Sequence, residues 1–171
     1  MIKVNFGNSR TYWRGLLFLV PWGVLYLMHL RKQDRLIKMN TINKIGKEVY
    51  FLLLEHGVSL QLARYITAQA AHETGNFTSK IFKENNNLFG MKKPAVRKTY
   101  AIGENKGHAV FKDITDCIKD FQIYLSNFKY LSNYSSIDNY VQELKRKRYF
   151  EADLQEYKNG VKHFYNLYFN G

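Results

Sequence analysis

The sequence predicts an α+β fold that is mainly α, with several amphipathic helices and one small β-hairpin. Three observations support this fold. Apolar residues recur at helical spacing through most of the chain, and Gly and Ser residues mark where these stretches begin and end. Residues 96–111 (VRKTYAIGENKGHAVF) instead place β-forming residues around two glycines. Apolar residues make up 46% of the 171 residues, which is enough for the core of one domain.

The most apolar stretch, residues 15–30 (GLLFLVPWGVLYLMHL), predicts an apolar N-terminal helix. A helix of about 16 residues spans roughly 24 Å, which is less than a hydrocarbon core of about 30 Å. Pro21 would also kink it. Three interpretations remain open: a membrane anchor, a segment packed in a larger assembly, and a helix on the protein's own core. A polar, basic connector at residues 31–41 follows, so residues 1–40 are predicted as an N-terminal segment and 41–171 as the main domain.

The main domain is predicted to begin with a helix over residues 42–57 that ends at Gly57. Ser59 is the expected N-cap of a second helix that ends near Gly75. A short helical turn and a loop occupy residues 76–95, and the hairpin follows. Three further helices are expected to start at Asp113 or Thr115, at Ser135–Ser136, and at about Ala152.

The formal net charge of +12 predicts an anionic partner, such as nucleic acid, acidic lipid or bacterial cell wall. The basic residues are spread along the chain and accompany no familiar nucleic-acid-binding motif, so no nucleic-acid partner is expected. The single Cys117 excludes an intramolecular disulfide and a metal site built from several cysteines. The five histidines show no metal-ligand spacing with one another, so no metal site is predicted.

Glu73 takes the last position on the apolar stripe of the second predicted helix, after Leu62, Ile66 and Ala70. Burial disfavours the charged form of a carboxyl, and the C-terminal end of a helix does the same. Both effects raise the pKa of Glu73. A carboxyl that keeps its proton near neutral pH can act as the general acid of glycosidic bond cleavage. The alternative is a frayed last turn in which Glu73 is simply solvated.

Two linked motifs follow one another here: AQAAHETG at residues 68–75 and NNNLFGMK at residues 85–92. Together they resemble the bacterial and phage cell-wall glucosaminidase family, which includes autolysin and flagellar-rod β-N-acetylglucosaminidases. ENKG in the hairpin and the stretches at residues 110–125 and 147–168 are also similar to this family, so the resemblance covers residues 42–169. The chain departs from the family pattern at His72, where a Leu is usual, and in RYFEAD, which lacks the usual Gly and Pro.

The resemblance implies a lysozyme-like fold, in which a helical lobe and a small β-lobe flank a sugar-binding groove. Glu73 would be the general acid. Asn86, Asn87 and Phe89 would shape the loop that lines the groove, although the asparagines could equally hold the loop through side-chain hydrogen bonds. Tyr149 would contact the sugar at the cleavage point, or else be a packed core tyrosine. No metal or organic cofactor is implied.

A glycosidase usually needs a second carboxylate, and Glu104 is the predicted candidate. It lies in GENKG, where flanking glycines suit a mobile turn that could close over bound glycan. Glu84 is expected to be a surface residue at a helix end, and Asp113 is expected to be an N-cap. Glu104 could also be a solvated turn residue. A 2-acetamido sugar could supply its own carbonyl instead.

The sequence thus predicts a peptidoglycan hydrolase that cleaves the β-1,4 bond between N-acetylglucosamine and N-acetylmuramic acid. Its expected partner is the glycan strand of the cell wall. Residues 15–30 suit attachment to a membrane or to other virion proteins, so the expected location is the cell envelope or a phage virion. The alternative is a degenerate hydrolase domain that serves as a structural or glycan-binding protein of a virion or envelope.

Overall fold

The computed structural model describes residues 22–126 and 134–170. The chain divides into two compact units, Met1–Ile37 and Lys38–Gly171. The described part contains six helices and one antiparallel two-stranded sheet, which confirms the predicted mainly α, α+β fold. The elements are α1 (Trp22–Glu55), α2 (Leu60–Glu73), α3 (Lys80–Asn85), β1 (Gly103–Asn105), β2 (His108–Val110), α4 (Ile114–Ser126), α5 (Ile137–Arg146) and α6 (Leu154–Phe169).

Helix α1 runs without a break from Trp22 to Glu55, so the connector predicted at residues 31–41 is helical and the helix predicted over residues 42–57 begins earlier. The division into residues 1–40 and 41–171 stays a prediction. The segment at residues 31–41 is polar but contains neither Gly nor Pro, and most of its residues favour helix. Its polarity therefore does not interrupt the helix. Residues 15–21 of the predicted apolar helix lie outside the described residues. Within the described ranges, no helix is long and apolar enough to cross a membrane.

Four helices of the second unit begin close to where the sequence predicts. Ser59 precedes α2 in extended conformation, although its side chain makes no capping hydrogen bond. Asp113 Oδ1 accepts a hydrogen bond from the backbone N–H of Asp116 at 2.9 Å, and Ser136 caps α5 in the same way. The last helix begins two residues later than predicted, at Leu154, because Asp153 accepts the N–H bonds of its first turn.

Helix α2 is buried along most of its length and packs against α6. Its inner positions include four alanines, which allow a neighbouring helix to come close: Ala63, Ala68, Ala70 and Ala71. On α6, a Cβ atom at Gly160 would lie 2.2 Å from the His72 ring. Gly160 is therefore needed for the close approach of α6 to the end of α2, where Glu73 lies.

The predicted hairpin is present, with Glu104 opposite Ala109 in the register of β1 and β2. Lys106 and Gly107 form its two-residue turn, and both have positive φ (54° and 75°), as this type of tight turn requires. Strand β2 is bound to the loop at residues 85–91, hereafter the asparagine loop. The Ala109 N–H donates to the Met91 carbonyl at 2.8 Å. The hairpin and the asparagine loop therefore form one small lobe.

Candidate active site

A groove of about 710 Å³ lies beside the end of α2. The asparagine loop, residues 92–97, β2, α4, the segment before α6 and α6 itself complete its walls. Five aromatic side chains line it: Phe89, Tyr124, Tyr149, Phe150 and Tyr157. Its volume is within the range of small-molecule sites, and aromatic surfaces with a few polar groups are typical of such sites.

Glu73 lines this groove, and its side chain is only partly exposed. The Tyr157 hydroxyl donates a hydrogen bond to Glu73 Oε1 at 2.5 Å. Burial raises the pKa of Glu73, and the hydrogen bond from Tyr157 opposes this rise because it stabilises the charged form. The direction of the shift is the one expected for a carboxyl at the end of a buried stripe.

Tyr157 is held in place by two rings. Phe150 stacks on it with a centroid distance of 3.7 Å and an interplanar angle of 7°, and His72 meets it edge-on at 4.8 Å. Burial raises the pKa of Tyr157 far above its ordinary value, so its hydroxyl stays protonated and remains a donor. The sequence did not single out Tyr157 as a candidate site residue. Its hydroxyl, on a stripe that packs against α2, is the feature that could have suggested a partner for Glu73.

Phe89 and Tyr149 both line the groove, as the resemblance implies. Phe89 stacks on Phe121 at 3.8 Å, and its carbonyl accepts a hydrogen bond from the Tyr149 hydroxyl at 2.8 Å. Burial and, after it, the nearby charge of Glu73 raise the pKa of Tyr149. Tyr149 therefore both lines the groove and fastens the asparagine loop. Its contact with sugar stays a prediction.

Asn86 and Asn87 do not line the groove. The Asn86 amide donates to the carbonyls of Phe111 and Lys112. The Asn87 side chain, only 1% exposed, donates to the carbonyls of Met91 and Ala109. These contacts agree with the alternative in which asparagine side chains hold the loop. The asparagines therefore support the groove wall indirectly, because their amides donate hydrogen bonds to backbone carbonyls and do not line the groove.

Glu104 is exposed on β1 and is not among the residues that line the groove. Successive side chains of a strand point to opposite faces. Glu104 therefore lies on the other face of the hairpin from Asn105 and its cross-strand neighbour His108, and it is His108 that lines the groove. The second carboxyl that does line the groove is Glu151, which is exposed and which the sequence did not single out.

A family model described as "Glucosaminidase: Mannosyl-glycoprotein endo-beta-N-acetylglucosaminidase" matches residues 55–169. "Protein bax" of Escherichia coli (strain K12) is 35% identical over 81 residues, which are 47% of this chain and 28% of that protein. This chain thus spans little more than a quarter of that relative's length.

A solved structure described as a type VI secretion system effector-immunity complex from Pseudomonas protegens superposes with a TM-score of 0.58. It shares 18% sequence identity and covers 74% of this chain and 93% of its own, so it shows the fold alone. The family model, in contrast, covers well over half of the chain, including α2, the hairpin and the whole groove. The protein therefore belongs to the glucosaminidase family of glycoside hydrolases.

Proposed function

We propose that the protein is a peptidoglycan hydrolase that cleaves the β-1,4 bond between N-acetylglucosamine and N-acetylmuramic acid. The observation that carries this proposal is Glu73, a groove-lining carboxyl whose pKa is raised by burial. Membership of the glucosaminidase family supports a glycosidic bond as the target. The net charge of +12 supports an anionic polymer as the substrate.

In the proposed reaction, protonated Glu73 gives its proton to the glycosidic oxygen as the bond from that oxygen to the sugar C1 breaks. Since Oε1 accepts the hydrogen bond from Tyr157, Oε2 is the oxygen left to carry the proton. The positive charge that develops at the sugar ring is then quenched by water or by the acetamido group of the substrate. Phe150 and Tyr149 line the groove and give the sugar an apolar surface to pack against.

Glu104 is proposed as the second catalytic carboxylate, which activates water or stabilises the positive charge at the sugar ring. In the structure, the hairpin is fastened to the asparagine loop by hydrogen bonds between Asn85 and Asn105. Glu104 can therefore reach the groove only if these bonds break and the hairpin turns over, because a joint movement of hairpin and loop keeps His108, on the other face, toward the groove. Glu151 competes for the same role, because it already lines the groove.

Glu104→Gln and Glu151→Gln separate these two carboxyls. We expect Glu104→Gln to slow glycan hydrolysis by at least about tenfold with binding unchanged, and Glu151→Gln to stay within a few-fold of wild type. Steady-state rates on soluble glycan strands and calorimetric binding measure the two effects. The reverse ranking assigns the role to Glu151, and near-normal rates in both variants move it to a Tyr or to the substrate's acetamido group.

Tyr157→Phe tests the geometry around the proposed acid. Loss of a hydrogen bond that stabilises the charged carboxylate raises the pKa of Glu73 further. A general acid works only while protonated, so activity falls as pH rises through its pKa. We therefore expect the alkaline limb of the rate profile to move to higher pH in this variant. An unchanged or downward-shifted limb contradicts the assignment of Glu73 and Tyr157 as a pair.

Digestion of purified cell walls, followed by mass spectrometry of the fragments, tests the proposed bond. New reducing ends on N-acetylglucosamine support the proposal, and new reducing ends on N-acetylmuramic acid show a muramidase instead. Walls that bind the protein but stay intact favour the alternative of a degenerate domain that only binds glycan. A domain that only binds glycan would not need a carboxyl with a raised pKa in its groove.

We further propose that the protein acts at the bacterial cell wall. Attachment through residues 15–30, whether to a membrane or to a phage particle, stays a prediction, because residues 15–21 of the apolar run that motivates it lie outside the described residues. Fractionation of cells or particles that contain the full chain tests it. Recovery in the membrane or particle fraction supports attachment, and recovery in the soluble fraction contradicts it.

A further inference from the structure

The groove carries two cationic side chains away from Glu73: Arg97 and Lys92. Arg97 forms a two-bond ion pair with Asp120, with Nη1–Oδ1 at 3.1 Å and Nη2–Oδ2 at 2.6 Å. The Asp120 side chain is fully buried, whereas the Arg97 side chain is 22% exposed. The carboxylate therefore lies beneath the guanidinium, and the guanidinium is the part that meets the groove.

This arrangement fixes Arg97 without using all of its donors. Nη1 also donates to the Lys98 carbonyl at 2.8 Å, and Asp120 also accepts the Tyr100 N–H at 2.8 Å. These contacts use three of the five N–H groups of Arg97. The N–H of Nε and one N–H of Nη2 have no partner among the described contacts.

Tyr124 and Tyr149 line the same groove as Arg97 and Glu73. Arg97 lies close enough to Tyr124 for its charge to oppose the rise in the pKa of Tyr124 that burial causes. The ring of Tyr124 is 6.0 Å from that of Tyr149, which in turn feels the charge of Glu73. No described hydrogen bond or ion pair joins Arg97 or Lys92 to Glu73, so these cations can meet a substituent of the glycan strand while Glu73 meets the bond that breaks.

We propose that Arg97 and Lys92 form a carboxylate-binding end of the groove, which selects glycan strands that carry carboxylates over neutral strands of N-acetylglucosamine. This inference rests on the proposed glycan hydrolysis. A guanidinium binds a carboxylate through two parallel hydrogen bonds, and a lysine adds a point charge. In peptidoglycan, the carboxylate belongs either to a free lactyl group of N-acetylmuramic acid or to its stem peptide.

One glycan strand in three chemical forms tests this selection. The first form keeps its stem peptides, the second has free lactyl carboxylates after amidase treatment, and the third has those carboxylates coupled to methylamine as neutral amides. We expect at least one of the two carboxylate forms to be hydrolysed with a kcat/KM about tenfold above that of the amide form. The form with the higher value identifies the source of the carboxylate. Equal values for all three forms overturn the inference.

Lys92→Gln and Lys93→Gln form a matched pair of variants, because both remove one exposed charge from adjacent residues and only Lys92 lines the groove. We expect the preference for carboxylate to fall about threefold or more in Lys92→Gln and to stay unchanged in Lys93→Gln. For Arg97, the double variant Arg97→Gln/Asp120→Asn replaces the ion pair by a neutral hydrogen-bonded pair and avoids a buried unpaired charge. It should lose the preference altogether. An equal effect of the two lysine variants shows general attraction to the basic surface and contradicts a site.

Calorimetric binding of the same three strands to the Glu73→Gln variant gives a readout that does not depend on cleavage. Tighter binding of carboxylate strands, weakened by Lys92→Gln, supports the site even where no bond is cut. If wild type cuts all three strands at the same rate, this inference fails while the proposed function stands. If wild type cuts none of them, the proposed function fails and binding alone decides the inference.

Discussion

Glu73→Gln is expected to lower the rate of glycan hydrolysis by a factor of about 10² to 10⁴, which is the usual contribution of a general acid. The amide keeps the shape of the side chain and can still accept the hydrogen bond from Tyr157. It cannot give a proton to the glycosidic oxygen. The loss should therefore appear in kcat, with strand binding largely unchanged.

The same variant is expected to be at least as stable as wild type at neutral pH. Burial raises the pKa of Glu73 in the folded state, so ionisation of this carboxyl disfavours folding. The penalty is absent below the unfolded-state pKa and grows as pH rises from there to the folded-state pKa. Glu73→Gln removes it, so thermal unfolding should show a gain over wild type at pH 7 that shrinks toward pH 4.

Glu48→Gln is a suitable control, because it removes one carboxyl from an exposed position on α1 that does not line the groove. Rate and melting temperature should both stay close to wild type in this control. If Glu73→Gln keeps more than about a tenth of the wild-type rate, Glu73 is not the acid. If it is much less stable than wild type at pH 7, the carboxylate is part of the packing and its pKa is not the reason for its position.

The sequence was sufficient to place Glu73 because the position depends on one helix alone. The apolar stripe of α2 determines which side chains point inward, and Gly75 marks where the helix stops. The start of α4 could be predicted in the same way, because Asp113 caps the turn that follows it. The asparagine loop was found by its resemblance to a family, not by periodicity.

The rest of the groove depends on contacts between residues far apart in the chain. Tyr157 reaches Glu73 across 84 residues, and Arg97 reaches Asp120 across 23. No pattern of neighbouring residues in the sequence predicts either contact. The meeting of Tyr157 with Glu73 depends on how closely α6 approaches α2, which Gly160 allows. The sequence shows such a glycine but not the ring that it accommodates.

Glu104 shows a different limit of sequence reasoning. Glycines on both sides of its turn suggested mobility, whereas in the structure Gly107 serves the tight turn and Asn105 binds the hairpin to Asn85. A glycine that is needed for a positive φ and one that gives flexibility look the same in a sequence. The face of the hairpin that Glu104 occupies follows from the alternation of side chains along β1 and from the register of β1 with β2. The turn sets this register.

Asn87→Ala is expected to lower the free energy of unfolding by about 3–5 kcal/mol, a large effect for one substitution. Asn87 Oδ1 accepts the N–H bonds of Phe89 and Met91, at 3.3 Å and 3.0 Å. Its Nδ2 donates to the carbonyls of Met91 and Ala109, at 2.8 Å and 2.9 Å. Alanine removes all four bonds, and each buried group left without a partner costs about 1–3 kcal/mol, partly offset where water enters.

A melting temperature lower by about 10 °C would be the direct sign of this loss. Asn139→Ala is the control, because Asn139 is exposed and its side chain bonds only to Ser135 among the described contacts. It should change stability by no more than about 0.5 kcal/mol. Activity of Asn87→Ala should be measured well below its melting point, so that a rate per folded molecule is obtained.

Asn87→Asp separates a role in the loop from a role in sugar binding. Its two oxygens can still accept from Phe89 and Met91, but no amide remains to donate to the carbonyls of Met91 and Ala109. An ionised carboxylate facing those oxygens is disfavoured, so the pKa of the new carboxyl rises on folding and stability falls as pH increases above about 4. We therefore expect this variant to be closer to wild type at pH 4 than at pH 7. A residue that contacts glycan would instead give a normal melting temperature and a raised KM in both variants, because its hydrogen bonds would form only when substrate is bound.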